Sequence, residues 1–273
     1  MSTLFTGISE LHTVSEAGTL DDAAIVVTDG VVSWVGQRSQ APAADDIVDC
    51  GGRAVLPGWV DSHTHMIFDG DRSAEFEARM SGGSYEAGGI AVTMDATRSA
   101  GESRLEQLLV ERIAAARRGG TTTVETKTGY GLNTESEVLA ARVASKYADD
   151  VTFLGAHLVP PGADADAYLD EVVGPMLDGV ADYANWIDVF CERGAFDETQ
   201  SRRVLAAGKD RGLGVRVHGN QLGEGPGVQL AVELDAASVD HVNYLSDADI
   251  EALANSETVA TMLPACDLST REP

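Results

Sequence analysis

Hydrophobic and polar positions change their period once along the chain, near residue 55. Before that point the runs are short and β-favouring. Residues 24–28 (Ala-Ile-Val-Val-Thr) and 31–36 (Val-Val-Ser-Trp-Val-Gly) flank Asp29-Gly30, the pattern of a two-residue hairpin. Gly51-Gly52-Arg53 supplies a further turn. After Val55, short apolar runs alternate with stretches of helical period. The runs at 54–60, 121–125, 151–156, 186–190, 214–217, 237–242 and 259–263 are expected to be strands. Residues 103–118, 134–147, 167–180, 199–211, 227–234 and 246–255 are expected to be helices. Thr134 with Glu135 and Glu137, and Ser246 with Asp247 and Asp249, put capping groups and acids where a helix N-terminus favours them. The Gly-rich, charged stretch 66–101 reads as an elaborated loop after the first strand.

Strands separated by helices imply parallel pairing through crossovers, hence an α/β protein. Seven strands are one short of a TIM-like (β/α)8 barrel. A doubly wound sheet is the competing architecture, but no Gly-x-Gly-x-x-Gly turn follows the first strand. The expected organisation is a small N-terminal β-domain over residues 1–55 and a barrel portion, strands one to seven, over 56–273.

Composition narrows the class. With 44% hydrophobic residues in 273 the chain can bury a sizeable core, and no apolar run reaches the length of a membrane span. The N-terminus lacks a basic region followed by an apolar one, so a cytoplasmic location is expected. Cys50, Cys191 and Cys266 are too widely spaced for a disulfide framework or a Cys-x-x-Cys metal site, and Cys191 lies in an apolar run as a small core residue would. Net charge is −25, and lysine occurs only at positions 127, 146 and 209. Such a surface disfavours nucleic acid and suits a solvent of high ionic strength, where self-repulsion is screened, as in a halophile.

The candidate chemistry sits at the ends of the expected strands, where barrels build their sites. The first strand ends in His63-Thr64-His65. Side chains at i and i+2 on a strand leave one face about 7 Å apart, so both imidazoles can reach one metal ion. Alone, such a pair is equally well two histidines at an exposed strand end. Further on, strand ends carry Lys127, His157, Cys191-Glu192, His218-Gly219-Asn220-Gln221 and Asp240-His241, so five of the six histidines fall at such positions; His12 lies apart and reads as a surface residue. His63, His65 and His218 are the candidate ligands of one divalent ion, Zn2+ or Fe2+, both of which accept a His-rich set. His241 is placed as an acid/base and His157 as a substrate-holding group. The fourth strand has no lysine that, carboxylated, could bridge two metals, and Lys127 reads as structural or supporting. Arg72, an exception in so acidic a chain, suits an anionic small-molecule substrate or, equally, an ion pair with Asp69 or Asp71.

Leu56-Pro57-Gly58-x-Val60-Asp61-x-His63-x-His65 resembles the signature of the metal-dependent amidohydrolase superfamily. Gly70-Asp71-Arg72-Ser73, Glu125-x-Lys127-x-Gly129-Tyr130-Gly131-Leu132, Thr152-Phe153-Leu154-Gly155-Ala156-His157, Asp188-Val189-Phe190-Cys191-Glu192 and Gln200-Ser201-Arg202-Arg203-Val204-Leu205 resemble, more narrowly, the imidazolonepropionase family. The likeness runs from about Ala24 to the last residue. It implies a metallohydrolase barrel with an N-terminal β-sandwich, and hydrolysis of the cyclic amide of 4-imidazolone-5-propanoate in histidine degradation. It also implies metal binding at His63, His65 and His218, substrate contacts at Arg72, Tyr130, His157 and Gln221, and catalytic roles for Gln221 and His241. Compared with the family pattern, the loop around Ser84–Ile90 is expected to be shortened. An eighth strand with an aspartate ligand is missing, so the chain is expected to be a piece of a longer protein with weak metal retention. Other readings stay open: another cyclic amidohydrolase, a mononuclear deaminase, or an inactive metal-binding fragment. The oligomeric state is open too, a homodimer included.

Overall fold

The computed structural model describes residues 1–81 and 89–271, so the expected shortening around Ser84–Ile90 lies largely outside the described residues. The chain divides into two compact units, Met1–Trp59 and Val60–Pro273.

The first unit is one four-stranded sheet: β1 (Ser2–His12), β2 (Thr19–Thr28), β3 (Val31–Gln37) and β4 (Asp46–Val55), in the order β3-β2-β1-β4. The expected hairpin joins β2 to β3. Asp29 and Gly30 both have positive φ (49° and 83°), and Thr28 pairs with Val31, as a type I′ turn requires. β1 pairs antiparallel with β2 and parallel with β4. Ile8, Leu11 and Ala23 form its small buried cluster. The described residues of this unit build a single layer, and no second sheet faces it. His12 lies at the end of β1, where its Nδ1 meets the Thr19 hydroxyl at 3.0 Å.

The second unit holds a seven-stranded sheet in chain order: β5 (Trp59–Asp61), β6 (Thr121–Lys127), β7 (Asp150–Ala156), β8 (Trp186–Cys191), β9 (Gly214–Gly219), β10 (Ser238–His241) and β11 (Val259–Thr261). Parallel pairings join β6 successively to β11. The expected strand 54–60 is in fact divided. Val55 ends β4 of the first unit and Trp59 begins β5, because the intervening Leu56-Pro57-Gly58 contains a residue without an N–H and another that breaks strands.

Between β5 and β6, where a loop was expected, the chain forms α1 (Ser73–Met80) and α2 (Gly89–Arg118), the latter kinked at Gly101 (φ 69°). The crossovers that follow are α3 (Thr134–Ala144), α4 (Ala165–Glu171) with α5 (Leu177–Val180), α6 (Glu198–Asp210), α7 (Gly227–Glu233), α8 (Asp247–Ala254) and, after β11, α9 (Pro264–Thr270). The expected helix 167–180 is interrupted by a π turn at Val172–Met176, where Pro175 withholds a donor from the ladder. Ser246 caps α8 as expected, and Asp249 completes a capping box with it. The core lies between sheet and helices, with Phe153, Leu169, Met176, Leu177 and Ile187 wholly buried. Among the described residues no helix is long and apolar enough to cross a membrane.

Candidate active site

Parallel strands in chain order bring their C-terminal ends to one edge, and a cleft of about 870 Å3 opens there. His63, His65, Arg72, Tyr130, His157, His218, Gln221 and His241 all line it. Every residue expected at a site is thus brought to one place, although 178 positions separate His63 from His241.

His63 and His65 lie just beyond β5, on an extended segment pinned to β6. The Thr64 N–H donates to Glu125 Oε2 (3.1 Å), the Thr64 hydroxyl donates to the Glu125 carbonyl (2.6 Å), and the Thr64 carbonyl accepts the Lys127 N–H (2.8 Å). Thr64 thus turns to β6 while its neighbours face the cleft. His218 comes up from β9, paired in register with Asp240 of β10 and Phe190 of β8. One ligand atom from each of His63, His65 and His218 lies within 4.8 Å of the other two. The Nε2 atoms of His65 and His218 are 3.3 Å apart.

Two carboxylates lie beside two of these rings. Asp240 Oδ2 lies 2.7 Å from His63 Nδ1, and Asp188 Oδ2 lies 2.9 Å from His218 Nδ1. On His63 the hydrogen bond to Asp240 holds a proton at Nδ1 and leaves Nε2 as the lone pair, the arrangement that orients metal-ligating histidines. At His218 the Asp188 carboxylate is close but not aligned as a hydrogen bond. Burial drives the His65 and His218 rings well below the ordinary histidine range, and the neighbouring His63 adds to it. They are therefore neutral at pH 7, as ligands must be. Facing lone pairs without a cation between them are unfavourable. These residues therefore fit a divalent ion, and the donor set is the nitrogen-rich kind that Zn2+ and Fe2+ accept.

Beneath the histidines lies a charged cluster that periodicity does not reveal. Lys127 is wholly buried, its Nζ 3.1 Å from Glu125 Oε1, 3.2 Å from Asp188 Oδ2 and 3.5 Å from Asp240 Oδ2. Burial disfavours its ammonium, but Asp188, Glu125 and Asp240 more than restore it and hold its pKa above the usual lysine value. Burial also works against the Asp240 carboxylate, yet His63 and Lys127 keep its pKa below the usual range. Asp188 goes the other way, because burial outweighs its share of the lysine. Asp188, His218 and Asp240 also converge closely enough to hold a cation, and the Lys127 ammonium is the cation there. One sequence signal was available: Asp188 and Asp240 are acids inside otherwise apolar β runs, and such residues stay buried only when paired.

The remaining residues shape the outer cleft. His157 Nδ1 is 2.9 Å from the Gly129 carbonyl. A carbonyl only accepts, so Nδ1 carries the proton and Nε2 is an acceptor. Burial lowers this ring to about 4, against the opposing effect of that hydrogen bond. Tyr130 stands edge-on to His65 and His157, with ring centroids 5.9 and 5.5 Å away. His241 has φ 82°, a conformation costly for a non-glycine residue, and burial lowers its pKa to about 3. Among the described residues its Nδ1 lacks a hydrogen-bond partner. The Gln221 N–H donates to Glu192 Oε1 at 2.9 Å. Arg72 is half-buried on the cleft wall. Cys191 is buried in the core beside the strand end.

Comparison with known proteins gives a consistent picture. The chain is 64% identical over 284 residues to an imidazolonepropionase of Arthrobacter sp. (strain FB24), covering 100% of this chain and 71% of that protein. It is 65% identical over 273 residues to an imidazolonepropionase of Saccharopolyspora erythraea, covering 100% and 70%. No family model matches the chain. Among solved structures, a triazine hydrolase from Arthrobacter aurescens superposes with a TM-score of 0.69 at 15% identity, over 98% of this chain and 66% of that one. That likeness, and one to a solved amidohydrolase at a TM-score of 0.63 and 16% identity, shows the fold alone.

Proposed function

The chain belongs to the imidazolonepropionase family, and on that footing we propose that its cleft holds one divalent metal ion on His63, His65 and His218 and hydrolyses the ring C–N bond of 4-imidazolone-5-propanoate to N-formimidoyl-L-glutamate. The observation that carries this reading is the convergence of three imidazoles, one buried and two partly buried, with buried carboxylates beside two of them, in a cleft lined by an arginine. When bound, the ion supplies Lewis acidity and lowers the pKa of water towards 7.

The side chains supply the rest. Arg72 offers its guanidinium fork to the propanoate carboxylate. His157, neutral and an acceptor at Nε2, takes a ring N–H of the substrate, and the Tyr130 hydroxyl holds the same face. His241 is neutral at pH 7 and accepts the proton released as water adds to the ring carbonyl. Gln221, held through its backbone by Glu192, lines the same cleft.

Zn2+ and Fe2+ both suit the donor set. The sheet order supports a (β/α)8 plan, of which the described residues furnish seven strands, and the first unit supports one layer of a β-sandwich. The acid-rich, lysine-poor surface supports a cytoplasm of high ionic strength and a small anionic substrate rather than nucleic acid as partner.

Ultraviolet monitoring of imidazolone-propionate loss, with metal analysis of the same sample, tests the reading. Hydrolysis that is abolished by chelation and restored by Zn2+ or Fe2+ is expected. A metal-loaded version of its relatives' full length that leaves the substrate intact would overturn it.

A further inference from the structure

We propose that Glu137, a side chain of α3 outside the cleft, is the positioning residue for Tyr130 and His157; the inference rests on the function proposed above. By sequence Glu137 is a first-turn acid of a surface helix. In the structure it is wholly buried and turned back onto the loop that follows β6. The helix does not need it as a cap, because Asn133 Oδ1 already accepts the Ser136 N–H at 2.9 Å. Instead its carboxylate accepts three backbone donors that bracket Tyr130. Oε2 accepts the Gly129 N–H at 2.8 Å, and Oε1 accepts the Gly131 N–H at 2.7 Å and the Leu132 N–H at 2.9 Å.

The loop so held is one that the chain would not adopt unaided. Gly129 has φ 107° and Leu132 has φ 51°, the latter costly for a branched side chain. The glycines on either side of Tyr130 leave no room for anything larger. A Cβ on Gly129 would stand 2.6 Å from the Leu154 carbonyl oxygen, and one on Gly131 would stand 2.4 Å from Ser136 Cβ. Arg98 grips the same loop by its carbonyls, with Nε 2.6 Å from the Gly131 oxygen and an Nη 2.9 Å from the Leu132 oxygen. The carboxylate and the guanidinium thus clamp one turn from its donor and acceptor sides. Burying an ionised carboxylate is unfavourable unless several donors meet it, and here the loop amides are those donors.

The clamp reaches the cleft by two routes. Tyr130 lies between the two clamped glycines, so its ring follows the backbone that Glu137 fixes. The Gly129 carbonyl, on the same residue whose N–H Glu137 binds, accepts from His157 Nδ1 and so fixes the tautomer that leaves Nε2 as an acceptor. Glu137 touches none of the three candidate metal ligands in this arrangement. Its loss is therefore expected to loosen substrate contacts and leave the metal in place.

Hydrogen exchange and steady-state kinetics on Glu137→Gln and Glu137→Ala, with Tyr130→Phe and the double variant Glu137→Gln/Tyr130→Phe, test the assignment. The amides of 129–132 are expected to exchange at least about tenfold faster, with the core strands unchanged. KM is expected to rise about tenfold or more, with kcat within about threefold of the parent and bound metal unchanged. The double variant is expected to lose less than the sum of the two single losses, because one of the two routes from Glu137 runs through Tyr130 and the other, through His157, survives Tyr130→Phe. Unchanged exchange at 129–132, or faster exchange with unchanged KM, would overturn the proposal. So would fully additive losses, or global unfolding of both Glu137 variants. An unaltered protein that does not turn over the substrate would count against the proposed function instead, and the exchange measurement would then decide the clamp by itself.

Discussion

Replacing Lys127 by Met removes the one ammonium among three buried carboxylates, and the structure fixes what that should cost. At an effective dielectric of about 20, each unit-charge pair near 3 Å contributes about 5 kcal/mol of gross attraction. With Glu125, Asp188 and Asp240 at 3.1, 3.2 and 3.5 Å, most of that gross term offsets the desolvation of four buried charges. The net loss on removing one partner of such a cluster is about 3–5 kcal/mol, because Asp188 and Asp240 stay buried without their cation, while Glu125 keeps Arg216 Nη1 at 3.1 Å. For a unit of this size that corresponds to a fall in Tm of about 6–20 °C. Asp188 already sits above the usual carboxylate range because burial outweighs the lysine, and without the lysine it rises further. A carboxyl whose folded pKa is raised binds more protons folded than unfolded between the two values, so folding is favoured as pH falls through that window. The stability deficit of Lys127→Met should therefore be larger at pH 8 than at pH 5. The assay is scanning calorimetry of parent and variant, both stripped of metal by a chelator. A variant melting within about 2 °C of the parent at pH 8, or a deficit that grows on acidification, would refute the account of Lys127 as the internal counter-ion.

Other consequences are open to simple measurement. Arg72→Ala should raise KM for imidazolone-propanoate about 10- to 150-fold, the range for a lost charged hydrogen bond of about 1.5–3 kcal/mol, with bound metal unaltered; an unchanged KM would remove Arg72 from substrate binding. Gly129→Ala forces a side chain into φ 107° and against the Leu154 carbonyl. A backbone cost of about 1–3 kcal/mol should lower Tm by about 2–12 °C, which thermal melting checks. Raising KCl from dilute buffer to molar concentration should raise Tm, since net charge −25 is then screened over a Debye length of about 3 Å; a Tm indifferent to salt would argue against adaptation to strong brine.

Much of this was legible before any coordinates. Alternating apolar strands and helical stretches determined the α/β class and six of the seven parallel strands closely, because period and turn chemistry are local properties of the chain. The histidines stood out because their spacing put them at strand ends, and a (β/α) progression sends all such ends to one edge. The run 54–60 belongs to two strands rather than one, since an apolar run reads the same whether one sheet or two divide it at Leu56-Pro57-Gly58. The helices within 66–101 were missed for a related reason: glycine and charge mask a helical period that tertiary packing nevertheless supports.

What only the tertiary structure decided is the pairing of charges. Sequence says that Lys127, Asp188 and Asp240 exist on three strands, but not that strands β6, β8 and β10 aim them at one point below His63 and His218. The same holds for Glu137, whose local context is that of a solvent-facing helix acid and whose actual partners are three amides of the Tyr130 loop. Local sequence sets secondary structure through short-range sterics and hydrogen bonds. Burial of a charge depends on which distant groups arrive to compensate it, and that is settled only when the sheet assembles. His63-Thr64-His65 could be read as a metal-reaching pair from its spacing alone; the carboxylate and lysine that hold its first ring in place come from strands more than sixty residues away.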